Sequence, residues 1–353
     1  MPVEIALDLE PRRRVDVFDA RAEVIRRHGP VFEQHRRWLY ASHHTTAGYL
    51  PQSLGARIAA CPGGLESYLQ LLRTMFPERA GYRHDRIEER ADVPADQRDL
   101  EPINADSHLA FIAGGLHPSV SYGAERTLPV YFVDLDGVHK DTPRHRRTTV
   151  FGFDREDVVA TADVVVPVSI HPIDAVSLKE PGLGLYDQIA ELIVRHGVTN
   201  GRVRLELAGD EHHAGLTINE YETLLMQHDL AEVLRNPLGF AAEKARHAWN
   251  DPMAVPAKAL AYARYDLVRA MNQLVDALGF GSSRVERLLA RTLEVSASRF
   301  IRMRRSVDLP VSDAATPGRG ALLEGRYQVP ILVQWRPATQ PTRDVTVTLT
   351  RFS

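Results

Sequence analysis

The chain has 353 residues, 44% of them hydrophobic and 25% charged, with a formal net charge of −3. That is the make-up of an ordinary globular protein with room for two cores, because domains run to about 100–200 residues. Cys61 is the only cysteine, which excludes an internal disulfide framework, and the slightly negative charge excludes general attraction to nucleic acid or an anionic membrane.

Val3 to Leu7 reads as a strand, and Asp16 offers an N-cap to a helix carrying Phe18, Ala22 and Ile25 on one face, ended by Gly29-Pro30. A strand through Trp38 and Tyr40 delivers Ser42-His43-His44-Thr45-Thr46-Ala47-Gly48, a run that aims imidazoles and hydroxyls at one small space. After Gly63-Gly64, the positions Leu65, Tyr68, Leu69, Leu72 and Met75 follow the helical period until Pro77. Tyr82-Arg83-His84-Asp85 comes next, then a charged segment from Arg86 to Glu101 without apolar period, expected to be a surface loop or flap. Asn104-Ala105-Asp106-Ser107-His108 precedes Gly114-Gly115. Strands from Pro129 to Leu135 and from Arg146 to Phe151 pair as a hairpin around Asp136-Gly137. The cluster Arg144, His145, Arg146 and Arg147 suits a phosphate grip or, more simply, a solvated strand edge. Asp154-Arg155-Glu156-Asp157 breaks the apolar pattern, which places a domain boundary near residue 160.

A second cycle then begins. Val17 to Gly29 aligns without a gap with Leu185 to Gly197, sharing Asp, Ala, Glu, Ile, Arg, His and Gly. Each helix feeds a strand, and Glu211-His212-His213-Ala214-Gly215-Leu216-Thr217-Ile218-Asn219-Glu220 then stands where His44-Thr45-Thr46-Ala47-Gly48 stood. This predicts an ancestral duplication, with related α+β domains at residues 1–160 and 161–353. Extra helices are expected in the second between about residues 237 and 297, around Leu267 to Leu278 and Val285 to Leu293. The end returns to strand from Ile331 to Gln334 and through Val345, Val347 and Leu349.

The residues His44 to Gly48, Tyr82 with His84, Asn104-Ala105-Asp106 with His108, and Asp134 to Gly137 with Arg144, Arg146 and Arg147 stand in the order of a known pattern. In this the chain resembles the YjbQ-like family of small α+β proteins, also labelled secondary thiamine-phosphate synthases. The second half resembles a decayed copy, keeping Thr217-Ile218-Asn219-Glu220 and an echo of Gly-Thr-Trp-Gln in Gly325-Arg326-Tyr327-Gln328. The first half has Leu50-Pro51-Gln52-Ser53 where the family has Thr-Ile-Asn-Glu. Neither half therefore carries a whole family site: either the halves complete one site together, or one half is catalytic and the other scaffold.

The resemblance implies an enzyme that acts on a small phosphorylated or anionic molecule, as in the transfer that joins a pyrimidine diphosphate to a thiazole phosphate. His44, Thr45, Thr46, Asn104 and Glu220 are then the catalytic candidates, with Arg144, Arg146, Arg147 and Asn219 binding substrate. His44, His84 and His108 are candidate ligands of a divalent metal with open positions; the same groups would otherwise line an anion pocket. Glu220 would act as a base or bind the metal, unless Thr217 caps a helix from Ile218 and Glu220 closes a capping box. The rival expectation is a non-catalytic ligand-binding or scaffold protein. No P-loop, dinucleotide fingerprint or Gly-x-Ser-x-Gly elbow appears. The first residues run into Arg12-Arg13-Arg14 without an apolar segment, so a cytoplasmic protein is expected, with no nucleic-acid or membrane partner. The resemblance adds assembly as a homo-oligomer, a trimer by analogy.

Overall fold

The computed structural model describes residues 1–91, 93–123, 128–250 and 303–353. It is an α+β protein. The strands are β1 (Val3–Leu9), β2 (Asp16–Asp19), β3 (Arg37–Ser42), β4 (Ala47–Tyr49), β5 (Ser119–Gly123), β6 (Tyr131–Asp134), the short pair β7 (Val138–His139) and β8 (Thr142–Pro143), and β9 (Arg146–Phe153). They continue with β10 (Glu156–Pro167), β11 (Asp174–Ser177), β12 (Gly201–Leu207), β13 (Ala214–Asn219), β14 (Ser306–Ser312), β15 (Ala321–Leu322), β16 (Val329–Gln334) and β17 (Thr342–Phe352). The helices are α1 (Ala20–His28), α2 (Gln52–Ala60), α3 (Gly64–Met75), α4 (Ala105–Ala113), α5 (Leu185–Arg195), α6 (Leu230–Arg235) and α7 (Pro237–Asn250). The helices expected around Leu267 to Leu278 and Val285 to Leu293 lie outside the described residues.

The chain divides into two compact units that interleave along the sequence. One comprises residues 1–52, 115–221 and 303–353, and the other 53–114 with 222–302. Residue 160, expected near a boundary, falls inside β10.

The first unit holds all the named sheets, and its two halves are wired alike. Sheet order β1-β9-β3-β5 in the first half matches β10-β17-β12-β14 in the second, and β2-β6-β4 matches β11-β16-β13. The agreement reaches single bonds. Asp16 and Asp174 open β2 and β11, each using one carboxylate oxygen on the next backbone N–H and the other on an N–H upstream, Arg12 or Ser169. Ala20 N–H donates to Val130 O, as Leu178 N–H does to Pro330 O. Ala47 lies opposite Asp134, as Ala214 lies opposite Gln334. Alternation along β1 and β12 buries Ile5, Leu7 and Leu9 in one core and Val203, Leu205 and Leu207 in another.

Three local expectations are corrected. The strands on either side of Asp136-Gly137 do not pair as a hairpin: β6 pairs with β2 and β4 and β9 with β1 and β3, in separate sheets, because distant segments claim both, and only the short β7 and β8 pair between them. Asp16 does not cap a helix: residues 16–19 pair with β6, and the cap is Asp19, which accepts from Arg21 N–H at 3.1 Å and Ala22 N–H at 3.3 Å. Cross-strand pairing takes Phe18 out of the helical face on which its spacing placed it. Thr217 does not cap one either, because Ala214–Asn219 is a fully buried strand along β16, where β-branched Thr217 and Ile218 fit well. The aligned helices also differ by one residue in buried face. Ile25 is 42% exposed while Ile193 is 2% exposed, so the inward pair Ala20 and Val24 answers to Ile189 and Ile193.

The second unit is mainly helical. Helix α3 buries Tyr68, Leu69, Leu72 and Met75 as its period requires, and the Tyr68 hydroxyl donates to Gly114 O at 2.9 Å. Helix α4 is buried along its whole length. Phe240 of α7 packs on Phe76 and Tyr82, with the Lys244 ammonium over the Tyr82 and Phe240 rings. The segment expected to be a flap is anchored: Arg90 is buried and donates to Glu101 at 3.1 Å.

Candidate functional site

In the first unit the site grows from the turn between β3 and β4. The Ser42 hydroxyl donates to Ala47 O at 2.6 Å and accepts from His44 N–H at 3.2 Å, folding His43 to Thr46 into a tight loop. His43 Nε2 is bonded to the Thr149 hydroxyl at 2.9 Å. His44 Nε2 is buried without a hydrogen-bond partner among the described residues. Burial, then the Arg146 guanidinium and His43, push the His44 imidazole down to about 3, although a bond to the Arg147 backbone works the other way. Burial and Arg147 lower His43 to about 4. Both rings are therefore neutral across the physiological range.

Arg146 begins β9 and lies buried behind this loop. Its Nε and Nη2 donate to Asp134 at 2.7 and 2.9 Å, a bidentate pair, while Nη2 also meets Asp136 O and the Thr46 hydroxyl, the latter at 3.5 Å. Burial raises the Asp134 carboxyl, and Arg146 pulls it back down. Arg146 thus sets a positive field and a fixed geometry, whereas Arg144 is 30% exposed and paired with Asp136 at 3.0 Å, and Arg147 is 68% exposed. Thr45 and Thr46 are buried.

The equivalent place in the second half is arranged differently. Arg343, near the start of β17, donates to Gln334 Oε1 at 3.0 Å, to Glu211 at 2.6 Å, and to His212 O and Arg336 O. Gln334 thus stands where Asp134 stood, and Glu211 occupies the position aligned with His44. Glu211 also accepts from Asp344 N–H at 2.9 Å.

The second half contributes directly to the His44 loop. Gln328 Nε2 donates to Ser42 O at 2.9 Å and His44 O at 3.2 Å, and a Cβ on Gly325 would overlap the His43 carbonyl. The echo of Gly-Thr-Trp-Gln in residues 325–328 is therefore a clamp on the first half's motif. Asn219 ends β13 opposite Val329, one residue from Gln328, and its side-chain oxygen accepts from Glu220 N–H at 2.8 Å.

The second unit brings His84 and His108 together, with ring centroids 5.4 Å apart. His84 Nδ1 faces Asp85 at 3.1 Å, and Nε2 faces Arg90 Nη1 at 3.3 Å and Glu222 at 3.6 Å. Glu222 accepts from Leu224 and Leu225 N–H, and Asp229 from Arg83 and His84 N–H. Burial raises the Asp229 carboxyl while those two backbone bonds lower it. A single turn of π-helix, Leu225–Asp229, delivers Asp229 to this position. Asn104 is the N-cap residue of α4, and its carbonyl accepts from Ser107 and His108 N–H.

Among the described residues no group of three or more His, Cys, Asp or Glu is arranged to hold a metal ion. The expected ligands divide between the two units, His44 in the first and His84 with His108 in the second. At His84 the Nε2 faces a guanidinium, a neighbour that repels a cation. Gln328 stood out in the sequence within its motif, without a role; Glu222, Asp229 and Arg343 gave no local signal. Among the described residues no helix is long and apolar enough to cross a membrane.

No protein-family model and no curated protein matches the chain. Among solved structures it is similar to a YbjQ-like protein of unknown function from Sulfolobus solfataricus P2, at 17% identity over 56% of this chain and 99% of that one, with a TM-score of 0.30. A hypothetical protein from Aeropyrum pernix K1 is similar at 18% identity over 54% and 96%, TM-score 0.27. An uncharacterized conserved protein of the YjbQ family from Clostridium acetobutylicum is similar at 13% identity over 53% and 98%, TM-score 0.26. In each case about half of this chain spans nearly the whole of a smaller protein.

Proposed function

We propose that the His44 pocket of the first unit binds and transforms a small phosphorylated or otherwise anionic molecule, in a transfer of the thiamine-phosphate-synthase type that the sequence resemblance suggests. The observation that carries this reading is a neutral His44 whose buried Nε2 has no partner among the described residues, set beside the buried cation Arg146. The neutral ring offers Nε2 to a ligand, as an acceptor from a protonated oxygen or, in the other tautomer, as a donor to an anionic one. The Thr45 and Thr46 hydroxyls donate to anionic oxygens, and Arg144 and Arg147 reach the ligand from the rim. In such a transfer a carbon–nitrogen bond forms as the carbon–oxygen bond to pyrophosphate breaks, and fixed donors with a positive field favour the departing anion.

We infer further that the halves of the first unit descend from one duplicated segment, supported by the matched strand order and single bonds described above. In this reading the second half has become the scaffold, since Arg343 is satisfied wholly by side chains and carbonyls of its own half. Gln328 then serves the first half's pocket from the second. The trimeric assembly carried by the resemblance is part of the same proposal, and light scattering of the purified protein tests it.

The deciding assay follows pyrophosphate release from the pyrimidine diphosphate and thiazole phosphate. The wild type is expected to turn over, and His44→Asn to lose about a hundredfold or more with unchanged circular dichroism. If the wild type neither releases nor binds pyrophosphate, the reading fails.

A further inference from the structure

A second polar cleft lies in the first unit, where the edge of β5 approaches β14. It encloses about 310 Å³, the lower end of the range for small-molecule sites. None of its lining residues belongs to the His44 pocket. It sits on the seam between the matched halves: His117 bridges to Tyr49 as Arg304 bridges to Leu216, and these two equivalent residues meet, Arg304 Nε donating to His117 Nε2 at 3.0 Å. That bond requires a lone pair on His117 Nε2 and so places the ring proton on Nδ1.

The charges have diverged between the halves. Opposite His117, Ser119 and Ser121 of the first half stand Arg304, Ser306 and Asp308 of the second. Arg37 and Arg202 share Glu156 Oε2 at 3.1 Å each, while Arg202 and Arg204 share Asp308 at 3.2 and 2.8 Å. Among the described residues the lining holds four guanidiniums and two carboxylates, and the carboxylates hold three of those guanidiniums in place before any ligand arrives.

Three lining atoms say what the cleft is shaped to receive. Ser119 is 6% exposed, yet its hydroxyl has no hydrogen-bond partner among the described residues, and neither has the buried Gln52 Nε2. Both are donors awaiting an acceptor. Glu156 Oε1 is also buried without a partner among the described residues, and it is an acceptor awaiting a donor. Orphaned buried groups of this kind are rare in folded proteins and call for a partner.

We propose that this cleft binds a small phosphate monoester that also carries a hydroxyl. The phosphate oxygens accept from Ser119, Gln52 and the lining guanidiniums, and the hydroxyl donates to Glu156 Oε1.

Calorimetric titration with inorganic phosphate and with glycerol 3-phosphate tests this, in the wild type and in Ser119→Ala, Arg304→Gln, Glu156→Gln and His44→Asn. Glycerol 3-phosphate is expected to bind more tightly than phosphate. Ser119→Ala and Arg304→Gln should each weaken it about tenfold, and Glu156→Gln should erase its advantage over phosphate. His44→Asn should leave this binding unchanged, whatever becomes of the other pocket. Absence of binding in the wild type, binding unaffected by Ser119→Ala, or binding lost in His44→Asn overturns the proposal. Ser119→Ala removes one buried hydroxyl and keeps the test intact should Arg304→Gln fail to fold.

Discussion

The buried arginines Arg146 and Arg343 hold equivalent places in two matched halves and differ in what neutralises them. Arg146 at the start of β9 is paired with Asp134 at the end of β6, in the other sheet, which leaves the aligned loop position to a neutral imidazole, His44. Around Arg343 the strand partner is the neutral Gln334, and the carboxylate has moved to Glu211 in the loop. Moving one negative charge from a strand end to the loop decides whether a pocket wall offers a neutral ring beside a cation or a closed ion pair. A buried charge must be compensated somewhere, and the choice of place sets what the neighbouring loop presents.

The largest expected effect comes from removing the compensating acids. Asp134→Ala strips Arg146 of its bidentate partner in a buried setting and should cost about 3–5 kcal/mol. Glu211→Ala should cost less, about 1–3 kcal/mol, because Arg343 keeps three uncharged acceptors. Urea unfolding of the two variants checks the ranking, and equal losses would remove the contrast.

The next experiment grafts one node onto the other. His44→Glu should pair with Arg146 as Glu211 does with Arg343, lowering pyrophosphate turnover about a hundredfold while holding or raising the unfolding midpoint. Retained turnover would show that the neutral ring is not what matters.

A smaller effect concerns pH. His44, held at about 3 in the folded chain, takes up its proton at about 6.5 when unfolded, so the unfolded state binds more protons between those values. Stability should therefore fall as pH drops through that window, with His43 acting in the same sense and Asp134, raised by burial, in the opposite one. His44→Asn should flatten this slope in unfolding curves taken from pH 4 to 7. An unchanged slope would mean that the imidazole is not held neutral.

The smallest effect is expected at Arg147, next to Arg146 in sequence but 68% exposed and 3.9 Å from Asp8. Arg147→Ala should change stability by no more than about 0.5 kcal/mol. A loss above about 1 kcal/mol would put part of the electrostatic support outside the buried pair.

Much of this was already written in the sequence, because period and turn chemistry are local. The helical spacing from Leu65 to Met75 and the glycines closing α1 and α5 each rest on neighbours within a few residues. The aligned runs at His44 and Glu211 also foretold the matched registers of Ala47 and Ala214. Local signals misled where pairing competed with them. Asp16 and Thr217 carry helix-cap chemistry, but strand neighbours more than a hundred residues away claimed both. The tertiary structure alone decided that Asp134 answers Arg146, that Gln328 reaches the His44 loop and that Glu222 and Asp229 close on His84. The first of these contacts joins two sheets and the others join segments far apart in the chain, and their formation depends on which buried charges and backbone groups find partners once the sheets and helices have packed.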